Sequence, residues 1–207
     1  MPEHMEISSI ITDFMNSELE IRVYNEVSLQ LELGLYLRNR LYGLGYIVYF
    51  ERNIKDILKL RDKEEEANEF VKKEIDIVIE KKSTNELYAI ELKFPRNGMY
   101  PEEMYQFLID ICFVEQLKST GFFTGTFTLT LVDDRLFYEG KDDNYPYSIF
   151  RKHDIIIPSG QEVKVPTGKK KGKLVTNIKG AGCSFWQTPK ATWIENKAES
   201  RYYSFKF

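Results

Sequence analysis

The stretch EIDIVIEKKSTNELYAIELKF, residues 74–94, decides the fold because two alternating apolar runs flank a short polar turn. Side chains of a β-strand point alternately to the two faces of a sheet, so this pattern predicts an antiparallel hairpin. Ile75, Ile77 and Ile79 are expected on one face, and the acidic residues on the other. A turn centred on residues 83 and 84 would place Asp76 directly opposite Glu91.

Asp76, Glu91 and Lys93 form the candidate chemistry of this hairpin. Carboxylates on directly opposed strand residues have Cβ atoms about 5 Å apart and repel each other. A divalent cation that prefers oxygen ligands, Mg²⁺ or Mn²⁺, would remove that repulsion. Lys93 falls on the same face, where it could hold a water or a developing phosphorane charge. The other interpretation is an ordinary amphipathic hairpin in which Lys93 simply pairs with an acid, and the spacing alone leaves both open.

Hydrophobic periodicity predicts the elements on either side of the hairpin. Helices are expected at about residues 7–15, 26–42 and 101–118, and further strands at about 46–52 and 124–132. Asn25 is the predicted N-cap of the second helix. The order helix, strand, strand, strand, helix, strand predicts an α/β core over residues 1–150, with a central mixed sheet flanked by helices. Residues 151–207 are expected to form a β-rich C-terminal extension packed on that core.

Composition narrows the classes of chemistry. The 207-residue chain has two histidines and two cysteines, too few for a histidine-based zinc site or a disulfide framework. Catalysis would therefore fall to carboxylates and lysines. The sequence shows no apolar run of transmembrane length and no N-terminal leader, so a cytoplasmic protein that does not bind membranes is expected.

Charge is distributed unevenly along the chain. Residues 151–207 carry 12 Lys/Arg against 4 Asp/Glu, a net +8, whereas the remainder has a net −11. A basic lobe of this kind can face nucleic-acid phosphates, although a solvated charged surface is the alternative. The lysines expected to contact phosphates are Lys169, Lys170, Lys171 and Lys173. The aromatic residues that could stack on unpaired bases are Trp186, Trp193, Tyr202 and Tyr203, with burial in the core as the alternative for most of them.

The order of elements from residue 26 to residue 134, with the Asp76 strand followed by the Glu-x-Lys strand, resembles the PD-(D/E)xK nuclease superfamily. This superfamily includes restriction endonucleases and archaeal Holliday-junction resolvases. One departure is Ile75, which stands where the motif has proline. The resemblance implies a restriction endonuclease-like core and Mg²⁺- or Mn²⁺-dependent hydrolysis of phosphodiester bonds, in DNA rather than RNA, leaving a 5′-phosphate.

The resemblance also assigns roles along the hairpin. It makes Asp76 and Glu91 the metal ligands, together with the backbone carbonyl of Leu92. It makes Lys93 the residue that positions or activates the attacking water.

Two helices are expected to contribute accessory residues by the same resemblance. Glu32 is the first candidate for the catalytic carboxylate of the first long helix, and Glu26 is the rival. Gln106, on the following helix, is a further candidate. Two other functions stay open, namely a non-catalytic nucleic-acid-binding or assembly module of the same fold and an RNA nuclease. Many members of the superfamily dimerise, so a homodimer is also left open.

Overall fold

The computed structural model of the protein describes residues 6–17, 23–96, 98–142, 144–170, 173–178, 185–195 and 200–207. The helices are α1 (Ile7–Met15), α2 (Glu26–Arg40), α3 (Ile54–Lys59), α4 (Tyr100–Ser119) and α5 (Tyr147–Phe150). The strands are β1 (Ile47–Asn53), β2 (Glu74–Lys81), β3 (Glu86–Lys93), β4 (Gly125–Val132), β5 (Asp154–Ile156), β6 (Lys164–Lys170), β7 (Lys173–Ile178), β8 (Lys190–Thr192), β9 (Ile194–Glu195) and β10 (Arg201–Lys206).

Six strands form the central sheet in the order β1-β2-β3-β4-β10-β9. β1, β2 and β3 are successive antiparallel neighbours, whereas β3 and β4 run parallel because α4 returns the chain between them. The sheet is therefore mixed and flanked by helices, which confirms the predicted α/β class. β10 pairs with β4, so the sheet itself continues past the expected boundary at residue 150.

Apolar side chains cover both faces of the sheet. The helices α1 and α2 pack in one cluster with Ile77, Ile79 and Ile90. The helix α3 and the second half of α4 pack in another cluster, which contains Ile75 and Val78. The expectation that Ile75 shares a face with Ile77 and Ile79 is therefore wrong, because Ile75 packs in the cluster of α3 and α4 and the other two pack in the cluster of α1 and α2.

The start of α2 is fixed by a capping box. Ser28 N donates to Asn25 Oδ1 at 2.8 Å, and Asn25 N donates to Ser28 Oγ at 3.0 Å. Two of the backbone donors near the helix N-terminus are thereby satisfied, and the predicted N-cap at Asn25 is confirmed. The cap makes Glu26 the first residue of the helix, at the end where a carboxylate is favoured by the helix dipole.

Gly34→Ala is expected to destabilise the protein by about 1–3 kcal/mol, because a Cβ at this position would lie 2.1 Å from the ring of Phe50. Helix propensity alone predicts the opposite sign, since alanine is favoured over glycine by about 1 kcal/mol within a helix. Chemical denaturation measures the difference. Phe50→Leu in the same background should recover part of the loss, and a Gly34→Ala variant as stable as the wild type would contradict the close approach.

Candidate active site

The β2–β3 hairpin has the register predicted from its turn, with Ile77 opposite Ile90. Beyond that pair the two carboxylates take over the hydrogen bonding between the strands. Asp76 N donates to Glu91 Oε1 at 3.3 Å, and Leu92 N donates to Asp76 Oδ2 at 2.6 Å. Asp76 and Glu91 therefore meet at the open end of the hairpin, each accepting a backbone N–H of the opposite strand.

Lys72 and Asp110 complete the cluster, and neither is singled out by the hairpin pattern. Lys72 Nζ donates to Glu91 Oε2 and, at 2.8 Å, to Asp110 Oδ1. The Glu91 side chain is fully buried and that of Asp110 is 6% exposed. One signal could have revealed Asp110, since it interrupts the apolar run FLIDICF of α4 and a buried charge needs a partner.

Two residues near the N-terminus of α2 form hydrogen bonds with β2 and with the end of β3. The Glu26 carboxylate accepts hydrogen bonds from Lys93 Nζ at 3.2 Å and from Phe94 N at 3.2 Å. Gln30, one helical turn later, donates from Nε2 to the backbone oxygen of Asp76 at 2.9 Å. The ammonium group of Lys93 is thereby held by α2 at the end of β3, two residues after Glu91.

Glu26, the rival to Glu32 as the helix carboxylate, is the residue of α2 that contacts Lys93. Successive residues of an α-helix are rotated by about 100°, so Glu32 lies on a face about 120° away from that of Glu26 and about 9 Å along the axis. The Glu32 side chain is half-buried on that face. Gln106 is exposed on α4, one turn before Asp110, and the described contacts do not connect it to the carboxylates. The catalytic roles of both residues stay predictions.

Burial shapes the protonation of the carboxylates. It raises the pKa of Asp76 to about 6, even though the Lys72 charge and the Leu92 N–H both act to lower it. Burial also raises the pKa of Glu91 well above its usual range, and the charge of Asp76 adds to that effect while Lys72 opposes it. Burial therefore disfavours the ionised form of both carboxylates, and binding of a proton, an ammonium group or a metal ion offsets that cost.

The two lysines remain charged near neutral pH. Burial alone would lower the pKa of Lys72, but the carboxylates of Asp110 and Glu91 outweigh burial and raise it. Burial would likewise lower the pKa of Lys93, and Asp110 together with Glu26 reverses the direction. A lysine in this state acts as a fixed positive charge and a hydrogen-bond donor.

The donors fit a hard divalent cation in kind, because Asp76, Glu91 and Asp110 all offer carboxylate oxygens. Asp110 Oδ2 is also buried without a hydrogen-bond partner in the described structure. Within the described ranges, however, no group of three or more His, Cys, Asp or Glu side chains is arranged to hold a metal ion. The ammonium group of Lys72 lies between Glu91 and Asp110 instead.

Three of the four lysines expected to contact phosphates lie in the paired strands β6 and β7, outside the central sheet. Lys169 and Lys170 lie in β6, and Lys173 begins β7, where it stands opposite Lys170. Lys171 lies outside the described residues. Binding of nucleic acid by these lysines stays a prediction.

The four aromatic candidates fall into two groups. Trp193, Tyr202 and Tyr203 are buried, as the core alternative expects. Trp186 is 71% exposed, and its backbone N–H donates to the buried carboxylate of Glu115 at 3.0 Å. Trp186 is therefore the member of this group whose ring is accessible for stacking.

Comparison of the chain with protein-family models, with curated proteins and with solved structures gives no match in any of the three. None of the helices in the described ranges combines the length and apolar character needed to cross a membrane. Function is therefore inferred from the geometry of the site and from the sequence motif.

Proposed function

We propose that the protein is a metal-dependent nuclease that hydrolyses phosphodiester bonds in DNA, with a restriction endonuclease-like core of the PD-(D/E)xK type. The observation that carries the proposal is the meeting of Asp76 and Glu91 at the open end of the hairpin, with Lys93 held at the end of the same strand as Glu91 by Glu26. The antiparallel order of β1, β2 and β3, followed by parallel β4, supports the same core.

Asp76 and Glu91 would hold a divalent cation, which supplies Lewis-acid activation of a water and neutralises charge on the scissile phosphate. Lys93 orients that water or stabilises the developing phosphorane charge through its ammonium group. Because the pKa of Lys93 is raised, this electrostatic role is favoured over that of a general base. Glu26 fixes the position of Lys93 and, through Phe94 N, the end of β3.

The decisive experiment incubates the purified protein with labelled duplex, single-stranded and branched DNA, and with RNA, in Mg²⁺ or Mn²⁺. Cleavage of a DNA substrate is expected, with 5′-phosphate ends and complete loss of activity in EDTA. Cleavage of RNA alone would move the substrate class to RNA. No cleavage of any substrate, together with no metal-dependent change in melting temperature, would contradict the proposal.

A non-catalytic nucleic-acid-binding or assembly module is the second candidate, and one observation favours it. Lys72 already neutralises part of the charge of Glu91 and Asp110, so the cluster could serve only to join β3 to α4. Such a module would bind nucleic acid equally well in EDTA and would melt at the same temperature with and without Mg²⁺. A nuclease site predicts a difference in both measurements.

Stabilisation by Mg²⁺ is expected to increase as the pH rises from about 5 to about 7.5, because protons compete with the cation for Asp76, whose pKa is about 6. Below this pKa the carboxyl group is protonated and binds a metal poorly. Melting temperatures with and without Mg²⁺ at the two pH values measure the effect. Asp76→Asn should weaken the stabilisation by Mg²⁺ and reduce its pH dependence, with the remainder due to Glu91, and an equal shift at both pH values in the wild type would rule out Asp76 as the titrating ligand.

A further inference from the structure

Lys72 links the catalytic hairpin to α4 in a way that the proposed nuclease mechanism does not use. Its Nζ donates both to Glu91 Oε2 and to Asp110 Oδ1, and lies 5.8 Å from the centre of the Phe113 ring. The Lys72 side chain is 27% exposed, whereas the Glu91 side chain is fully buried. Of this pair, Lys72 is thus the group with room to move.

Both oxygens of Glu91 are already engaged. Oε1 accepts the backbone N–H of Asp76, and Oε2 accepts the ammonium group of Lys72. Each oxygen has a second lone pair, but a cation bound there would lie next to the ammonium group of Lys72, and the two positive charges would repel each other. The Asp76 N–H is part of β2 and is fixed by the strand, so the Lys72 side chain is the donor that can leave.

Asp110 provides an alternative hydrogen-bond acceptor for the ammonium group of Lys72. Its Oδ1 already accepts from Lys72 at 2.8 Å, and its Oδ2 is buried with no hydrogen-bond partner in the described structure. A small movement of the ammonium group from Glu91 toward this second oxygen would satisfy a buried acceptor. The carboxylates of Asp76, Glu91 and Asp110 face the charge of Lys72, while the charge of Lys93 is paired with Glu26, which leaves a deficit of positive charge that a divalent cation can fill.

We propose that Lys72 is an internal counter-ion that occupies Glu91 in the metal-free protein and shifts onto Asp110 when a divalent cation binds. Asp110 is then a positioning residue that retains Lys72 in both states. This role deepens the proposed function and rests on its metal site. Lys72 sets the concentration of Mg²⁺ or Mn²⁺ at which the site fills, since every ion that binds has to compete with a tethered ammonium group.

The test is the affinity for Mn²⁺, measured by isothermal titration calorimetry on the full chain. Lys72→Met is expected to tighten binding by about tenfold, since the competing charge is gone. Lys73→Met is the matched control, because it removes an equal charge one residue away. Lys73 Nζ donates to the backbone oxygen of Ala67. Lys73→Met should change the affinity by less than about twofold. Equal affinities of Lys72→Met and the wild type would overturn the proposal.

Lys72→Met is also expected to lower the metal-free melting temperature by roughly 6–12 °C, because two buried carboxylates lose their partner. Should this variant fail to fold, Lys72→Gln keeps a hydrogen-bond donor without the charge and gives the same comparison. Asp110→Asn should weaken Mn²⁺ binding, since Lys72 then has only Glu91 to pair with. That weakening should disappear in the Lys72→Met background, and an undiminished loss there would contradict the counter-ion role.

Cleavage assays on the same variants separate this proposal from the nuclease proposal. Tighter Mn²⁺ binding by Lys72→Met, without cleavage by any variant, would support the counter-ion role and refute the nuclease. Cleavage by the wild type, with Mn²⁺ affinity unchanged by Lys72→Met, would support the nuclease and refute the counter-ion role.

Discussion

Asp76→Asn is expected to reduce metal-dependent cleavage on the order of 10³-fold while making the metal-free protein more stable. Activity should fall because the substitution removes an anionic ligand of the proposed metal site. Stability rises because burial raises the pKa of Asp76 from 3.8 to about 6, so the ionised form is disfavoured in the folded protein. The free-energy cost of ionising Asp76 in the folded protein is absent below pH about 4, grows between pH about 4 and pH about 6, and is fully present above pH about 6. The neutral amide removes it, and Asn can still accept the Leu92 N–H, for a gain of about 1–3 kcal/mol at pH 7.5.

The measurements are single-turnover cleavage rates in Mg²⁺ and chemical denaturation in EDTA. Glu74→Gln is the matched control, since Glu74 is an exposed carboxylate two residues earlier in β2. It should leave both quantities near the wild-type values. Opposite signs for activity and stability are typical of a functional site, where charge is held at a cost to the fold. A variant that cleaves normally, or that is less stable than the wild type, would assign Asp76 a structural role.

The hairpin could be predicted from the sequence because all its determinants are local. Alternation of apolar residues defines the two strands, and the short turn fixes the pairing. The observed pair Ile77 and Ile90 has the same register as the predicted pair Asp76 and Glu91. What the pattern could not show is that side-chain hydrogen bonds replace the backbone ladder at the second pair.

Lys72, Asp110 and Glu26 could not be placed by such a local pattern. In the sequence, Lys72 is 19 residues from Glu91 and 38 residues from Asp110, and Glu26 is 67 residues from Lys93. These contacts depend on how α2 and α4 pack on the two sides of the sheet, which is a tertiary property. The choice between Glu26 and Glu32 likewise depended on the rotation of α2 about its axis, and the apolar residues around Glu32 gave no measure of it.

The C-terminal strand shows the same limit. YYSFKF could be recognised as a strand from its alternation, but its partner β4 lies about 70 residues earlier in the chain. Tyr203 and Phe205 pack with the first half of α4 in one buried cluster. Part of the predicted C-terminal extension therefore belongs to the central sheet. As strand β10 of that sheet, it buries Tyr203 and Phe205 between the sheet and α4.

Lys93→Met is expected to lower the cleavage rate by about 10²- to 10³-fold without weakening Mn²⁺ binding. The ammonium group of Lys93 is bonded to Glu26, so its removal should take away the charge proposed to stabilise the transition state and leave the proposed metal ligands in place. Lys93→Arg keeps the charge and should retain more activity than Lys93→Met. Calorimetry with Mn²⁺ beside single-turnover rates separates the two effects, and a parallel loss of affinity and rate would mean that Lys93 only supports the metal site.

A comparison of Glu26→Gln with Glu32→Gln then identifies the carboxylate that positions Lys93. Glu26→Gln retains an acceptor for Phe94 N but removes the negative charge that positions Lys93, so a loss of about 10- to 100-fold in rate is expected. Glu32→Gln, on another face of the same helix, is the control and should change the rate by less than about twofold. The reverse order of effects would show that α2 contributes Glu32 to the reaction, and that the Glu26–Lys93 pair serves to fasten the helix to the end of β3.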